Sequence, residues 1–84
     1  PPDYKLFTFD GVVSHMEVDF LHEGRKRYCD YSRDWEKLPF RDPSYQGYFE
    51  GELPRPPKLD EMIRIAETLG QGTDFVRVDF YATD

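Results

Sequence analysis

Eighty-four residues, a net charge of −6 and a single cysteine set the limits. One small domain is the most such a chain can form, burying only about 60–65% of the surface it exposes when unfolded. The acidic balance argues against a nucleic-acid or anionic-membrane surface, which needs an excess of Lys and Arg.

The run Arg25-Lys26-Arg27 is the local exception to that balance. No stretch approaches the ~20 apolar residues of a membrane span, and no secretory leader is read at the start. Cys29, being alone, excludes an internal disulfide and agrees with a reducing, cytoplasmic location. Seven Phe, six Tyr and one Trp supply enough apolar surface for a folded chain despite 33% charged residues. The sequence begins at Pro1 without Met and stops at Asp84 in a strand-like stretch, so a fragment of a longer chain is expected.

Residues 4–9 read as a strand that is apolar on both faces, the mark of an inner position in a sheet. Asp10-Gly11 is a strong hairpin signal, since both central residues of a type I′ turn need positive φ. The return strand runs from 12 to about 21. Its alternation groups Val12, Ser14, Met16, Val18 and Phe20 on one face. Val13, His15, Glu17 and Asp19 fall on the other, which is wet or lines a polar cleft. A turn at His22-Glu23-Gly24 leads into a third strand over 25–32, where Lys26, Tyr28 and Asp30 oppose Arg27, Cys29 and Tyr31. Together these strands form an antiparallel meander.

From 33 to 58 regularity fails, because Pro39, Pro43, Pro54, Pro56 and Pro57 remove too many backbone donors. Trp35, Phe40, Tyr45, Tyr48 and Phe49 favour a loop lying on the core, ordered in its first half and mobile over 46–55. The one helix opens at Pro57-Lys58-Leu59. Leu59, Met62, Ile63, Ala66 and Leu69 repeat as one buried stripe. Asp60 and Glu61 suit the first turn of its dipole, and Gly70 is placed to take a left-handed cap.

The last strand, 75–81, alternates cleanly. Val76, Val78, Phe80 and Ala82 face one way, towards the helix; Phe75, Arg77, Asp79 and Tyr81 face the other. Arg77 and Asp79 lie roughly 7 Å apart along one face. A cation and a carboxylate so placed suit a phosphate and its divalent metal, and equally a same-face ion pair on a solvated sheet. His15, His22 and Cys29 are scattered by strand geometry and make no zinc pattern. Magnesium, held by one or two carboxylates plus substrate phosphates, fits better. Neither a nucleophile elbow nor a glycine-rich phosphate loop is present.

Four segments come in a familiar order and spacing. They are the stretch Asp3-Tyr4-Lys5-Leu6-Phe7-Thr8-Phe9-Asp10-Gly11; the run Arg25-Lys26-Arg27-Tyr28-Cys29-Asp30 with Asp34-Trp35 and Leu38-Pro39-Phe40; the segment Leu59-Asp60-Glu61-Met62-Ile63-Arg64-Ile65-Ala66-Glu67; and Phe75-Val76-Arg77-Val78-Asp79-Phe80-Tyr81. In this the chain resembles the TupA-like ATP-grasp family, found with teichuronopeptide and surface-polysaccharide biosynthesis. The resemblance implies an α+β fold, an antiparallel sheet of about four strands with one packed helix. Residues 1–84 would form a single partial domain, the C-terminal subdomain of an ATP-grasp fold without its flanking elements.

The implied parent is an ATP-dependent carboxylate–amine ligase working through an acyl phosphate, with ATP and Mg²⁺ as cofactors. Asp79 then corresponds to the metal ligand and Arg77 to the catalytic arginine on the transferred phosphoryl group. Lys5, standing where the superfamily has Asp-x-Arg, and Arg25 and Arg27 correspond to cofactor-binding cations. The implied partners are the remainder of the domain and small carboxylate and amine substrates, so this chain alone is expected to be inactive. The rival reading is a non-catalytic peptide- or sugar-binding module whose platform is Trp35, Tyr45, Tyr48 and Phe49.

Overall fold

The computed structural model describes residues 2–41, 44 and 46–81. Its elements follow in the order β1 (Asp3–Phe9), β2 (Val12–His22), β3 (Arg25–Ser32), β4 (Lys37–Leu38), α1 (Leu59–Leu69) and β5 (Phe75–Tyr81). All pairings within the sheet are antiparallel, and the spatial order is β4-β3-β2-β1-β5. The expected four-strand sheet thus gains a fifth member, the two-residue β4. As its apolar character required, β1 lies between two neighbours.

Asp10 and Gly11 adopt φ of 51° and 80°, the positive values a type I′ hairpin needs. Glu23 and Gly24 repeat the device between β2 and β3, with φ of 53° and 78°. The core lies between the sheet and α1. Leu6, Met16, Val18, Cys29 and Tyr31 are buried on the sheet side, and Leu59, Met62, Ile63 and Ala66 on the helix side. Fully burying a side chain of this kind contributes about 1.5–3 kcal/mol, so this layer holds the two elements together. Cys29 is a small core hydrophobe, and burial raises its thiol pKa.

The face assignment fails at the start of β2. Val13 is buried beside Met16 and Val18, while Val12 is 57% exposed. The cause is a β-bulge: Phe7 pairs His15 and Thr8 pairs Val13, leaving Ser14 as the extra residue. One added residue inverts the alternation before it. The Val13 N–H donates to Glu67 Oε2 of α1 at 2.9 Å, and the Arg33 guanidinium donates to the same oxygen at 3.0 Å. The helix therefore anchors the bulge.

Two expectations at the helix end are also corrected. Leu69 is 59% exposed rather than part of the stripe, and Gly70 is the buried residue. Gly70 has φ −82°, a right-handed conformation, so it does not form a left-handed cap. Close approach explains it instead: a Cβ there would lie 2.7 Å from Thr8 Cγ2 and 3.3 Å from Val76 Cγ1. The positive φ of the turn, 79°, belongs to Gly72.

The segment 46–55, expected to be mobile, is tied to the sheet through its backbone. Tyr28 N–H donates to Gly47 O and Phe49 N–H to Tyr28 O, both at 2.8 Å. Trp35 Nε1 donates to Leu53 O at 3.0 Å, and Leu53 N–H donates to the Tyr31 hydroxyl at 2.8 Å. Lys37 Nζ donates to Phe49 O at 2.7 Å and Gly51 O at 2.5 Å. Trp35 itself has φ 65°, costly for a bulky residue, and is held there by stacking on Tyr31 at 3.9 Å. Tyr45 and Ala82 lie outside the described residues.

The helix–sheet contact at Gly70 leaves no room for a methyl group. Gly70→Ala is expected to cost about 1–3 kcal/mol through overpacking, with Tm falling about 4–8 °C per kcal/mol in a domain of this size. Urea and thermal denaturation read it directly; an unchanged midpoint would contradict the close approach.

Candidate functional site

With α1 covering one side, the other side of the sheet is left to polar and aromatic residues arranged in rungs. The middle rung crosses four strands as Asp30, Glu17, Lys5 and Asp79. On one side of it runs Tyr28, Asp19, Asp3 and Tyr81; on the other runs Ser32, His15, Phe7 and Arg77. The sequence put Glu17 and Asp19 on a polar face, and the antiparallel register brings Asp3 and Asp30 to them.

Lys5 occupies the centre of this face. Its ammonium pairs with Asp3, and with Asp19 Oδ2 at 3.1 Å. The side chain is only 18% exposed, yet these carboxylates raise its pKa above the usual lysine value against the opposing effect of burial. It is a fixed positive charge at any physiological pH.

Arg77 and Asp79 project from β5 onto the same open face. Arg77 Nε lies 3.0 Å from Asp79 Oδ1, and Nη2 donates to Asp79 Oδ2 at 3.2 Å, a two-point fork. The side chains are 48% and 31% exposed, so this is a solvated pair of small net worth that opens at little cost. The Asp10 N–H to Asp74 O bond sets the alternation between β1 and β5. It makes Lys5–Asp79 and Phe7–Arg77 non-hydrogen-bonded pairs, the kind with closer side chains.

The other two sequence-predicted cations lie elsewhere. Arg25 and Arg27 face Phe20 and His22 across the β2–β3 hairpin, where it projects beyond the start of β1. By alternation they share the side of Cys29 and Tyr31, opposite to Lys5 and Asp79. Arg27 still reaches the rim of an open cleft of about 670 Å³ at that end of the sheet, which Asp3, Lys5, Asp19, Lys26 and Tyr81 also line. Lys26, part of the same basic run but not among the site residues expected from sequence, lies on the open face by the same alternation. Sequence also missed the aromatic row beside Arg77: Phe7 stacks on His15 at 4.8 Å, and Phe75 lies 6.3 Å from Phe7.

Among the described residues no group of three or more His, Cys, Asp or Glu converges to hold a metal. A cation caged by protein alone therefore does not fit this face. A magnesium ion carried mainly by phosphate oxygens does, because it asks for one or two carboxylates and Asp79 is accessible beside two cations.

The TupA-like ATPgrasp family model matches residues 2–84, and the chain belongs to that family. The kind of protein this defines is an ATP-grasp ligase, and the antiparallel sheet with one helix fits it. No significant match is found among curated proteins or solved structures.

The crowding of carboxylates has a consequence for stability. The Glu17 pKa is pushed up from 4.5 to about 8, first by the hydrogen bond shared with Asp19, then by burial and the charges of Asp19 and Asp30; Lys5 opposes this. Burial, then the Asp19 charge, moves Asp30 from 3.8 to about 6. Both groups keep a proton in the folded chain where the unfolded chain has released it. Stability contributed this way is present at low pH and lost as pH rises through the folded values. The urea midpoint is expected to fall between about pH 5 and 8, and Glu17→Gln to flatten that slope. A midpoint rising over this window, or an unaltered slope in the variant, would contradict the shared proton.

Proposed function

We propose that this chain is part of the nucleotide-binding domain of an ATP-dependent ligase that joins a carboxylate to an amine through an acyl phosphate. The observation that carries the reading is the exposed Arg77–Asp79 fork on β5, with Lys5 directly across from Asp79. Residues 1–84 supply one sheet-and-helix portion, and the rest of the domain completes the site. The setting we infer is cytoplasmic, in the synthesis of teichuronopeptide or another cell-surface polysaccharide.

Forming an acyl phosphate brings two anions together, so its catalysis is mainly positioning and charge stabilisation. Asp79 would hold Mg²⁺, which when bound supplies Lewis-acid polarisation of the phosphate oxygens. Once released from Asp79, the Arg77 guanidinium offers a planar fork to the transferred phosphoryl group. Lys5 contributes a single fixed ammonium, a point charge rather than a fork. The β2–β3 hairpin carries Arg25 and Arg27, whose role would be towards the phosphates or the acceptor carboxylate. Strands β1 and β5 hold the three central groups on rigid backbone, which suits a site that works by placement.

Three of the four aromatic residues of the competing sugar- or peptide-binding platform, Trp35, Tyr48 and Phe49, are partly buried against the domain's own side chains. Trp35 stacks on Tyr31 at 3.9 Å, Phe49 meets Phe20 edge-on at 5.0 Å, and Tyr48 packs against Tyr28 at 5.7 Å.

In the protein carrying the whole domain, Asp79→Asn is expected to lower ATP turnover about 10²-fold or more while leaving thermal stability within about 0.5 kcal/mol, as for an exposed surface change. Normal turnover in that variant would contradict the assignment.

A further inference from the structure

The middle of the open face has more carboxylates than its cations can serve. Lys5 lies among Asp3, Glu17 and Asp19, with Asp30 one strand further on. Its ammonium goes to Asp3 and to Asp19 Oδ2, which leaves Glu17, its cross-strand partner on β2, without an ion pair of its own. Oδ1 of Asp3 and Oδ1 of Asp30 are buried and accept no hydrogen bond from any described group. The cluster is short of donors, and a proton on a carboxyl group supplies one.

Geometry decides which carboxyl group carries that proton. Glu17 and Asp19 sit two residues apart on one face of β2 and share a hydrogen bond. Asp19 touches the Lys5 ammonium and so keeps its charge; Glu17 has no such partner and becomes the donor. We propose, on the footing of the nucleotide-binding role given above, that Glu17 is a positioning residue: as a neutral donor it holds the Asp19 carboxylate in place, and Asp19 in turn orients the Lys5 ammonium for phosphate. An ammonium has three N–H groups. Asp3 and Asp19 take two, and the third remains for a phosphate oxygen near Asp79, which stands directly across from Lys5 on β5.

No other described group around Glu17 supplies the missing donor or charge. His15, on the same face of β2, is kept neutral by burial, and its Nδ1 meets Ser14 Oγ at 3.0 Å. From β3, Asp30 faces Glu17 and Tyr28 faces Asp19. Arg77 and Asp79 stand on β5, beyond β1, and are engaged with each other. The Glu17 pKa of about 8 agrees with this placement, the hydrogen bond to Asp19 being its largest cause.

Glu17 thereby couples protons to anion binding. While it is neutral, Lys5 is free to draw phosphate towards Asp79. Once it ionises, above about pH 8, a further negative charge competes for Lys5, repels the ligand and releases Asp19. The grip on a polyphosphate is strongest at the lower pH and weakens as pH rises through the folded value, so binding takes up a fraction of a proton. A glutamate with only a structural role would change stability without this linkage.

Two measurements test this. The first needs no nucleotide: carbon-13 and nitrogen-15 NMR of the labelled protein follow Glu17 Cδ, Asp19 Cγ and Lys5 Nζ with pH. All three are expected to share an inflection near pH 8, and Glu17→Gln to remove it from Asp19 and Lys5. A Glu17 that titrates near its ordinary 4.5, or Asp19 and Lys5 signals blind to it, overturns the proposal. The second is calorimetry of magnesium–ATP binding to the protein carrying the whole domain, in buffers of different ionisation enthalpy. The dissociation constant is expected to rise about three- to tenfold between pH 7 and 9, with proton uptake, and to stay flat in Glu17→Gln. Glu17→Leu, neutral but unable to donate, should bind more weakly at both pH values. Thermal unfolding checks that the variants fold, and Glu17→Gln decides alone if Glu17→Leu does not. A pH-independent affinity in the starting protein, or a leucine variant as tight as the glutamine one, overturns the positioning role and leaves the nucleotide reading standing. A starting protein that binds no magnesium–ATP while the NMR linkage is present sinks the nucleotide reading, and with it the role of Glu17 towards phosphate.

Discussion

The register of β1 against its two neighbours is the constraint on which the rest depends. It places the Lys5 ammonium across from Glu17 on one side and Asp79 on the other, with Asp3 and Asp19 closing on it directly. A slip of one residue in β1–β5 pairing would send Arg77 and Asp79 to the helix side and bring Val76 and Val78 into water. The hydrophobic layer under α1 therefore fixes the chemistry of the opposite face. Burial of Leu6, Met16 and Val18 and the exposure of the charged rungs follow from a single register.

Keeping the two faces distinct requires a correction at the hairpin end. Both Val12 and Val13 could serve the core, and the bulge at Ser14 selects Val13. The bulge would leave a backbone donor poorly paired, but Glu67 accepts the Val13 N–H and Arg33 neutralises Glu67. Helix position and strand register thus support each other through one carboxylate. The proline-rich connection acts similarly at the other edge. Without a ladder of its own, it borrows partners from Tyr28, Tyr31, Trp35 and Lys37.

Much of this was legible from residue pattern. The Asp10-Gly11 turn, the alternation of 75–81 and the stripe of Leu59, Met62, Ile63 and Ala66 each follow from local chemistry, and each is observed. What escaped depends on tertiary distance. Nothing in Val12-Val13-Ser14 announces an inserted residue, since two valines serve either face equally well. Gly70 sits where a cap is expected, yet its role comes from Thr8 and Val76, remote in sequence. The anchoring of 46–55 uses backbone carbonyls, which leave no trace in side-chain composition. Of the candidate site, Arg77 and Asp79 share one face as their spacing implied, whereas Lys5, named only through the family resemblance, lies across from Asp79 because β1 pairs with β5, a pairing that no residue pattern announced. Arg25 and Arg27 parted from them, because the β2–β3 hairpin outruns β1 and their alternation carries them to the other side.

The most direct measurement is a set of cross-strand Hα–Hα nuclear Overhauser effects in the labelled protein, since non-hydrogen-bonded antiparallel pairs bring their Cα atoms to about 4.5 Å. The account predicts strong contacts from Lys5 to Asp79, Phe7 to Arg77 and Asp3 to Tyr81. Contacts from Lys5 to Val78 or Phe80 instead would mean a shifted register, with the charged pair turned away from the open face.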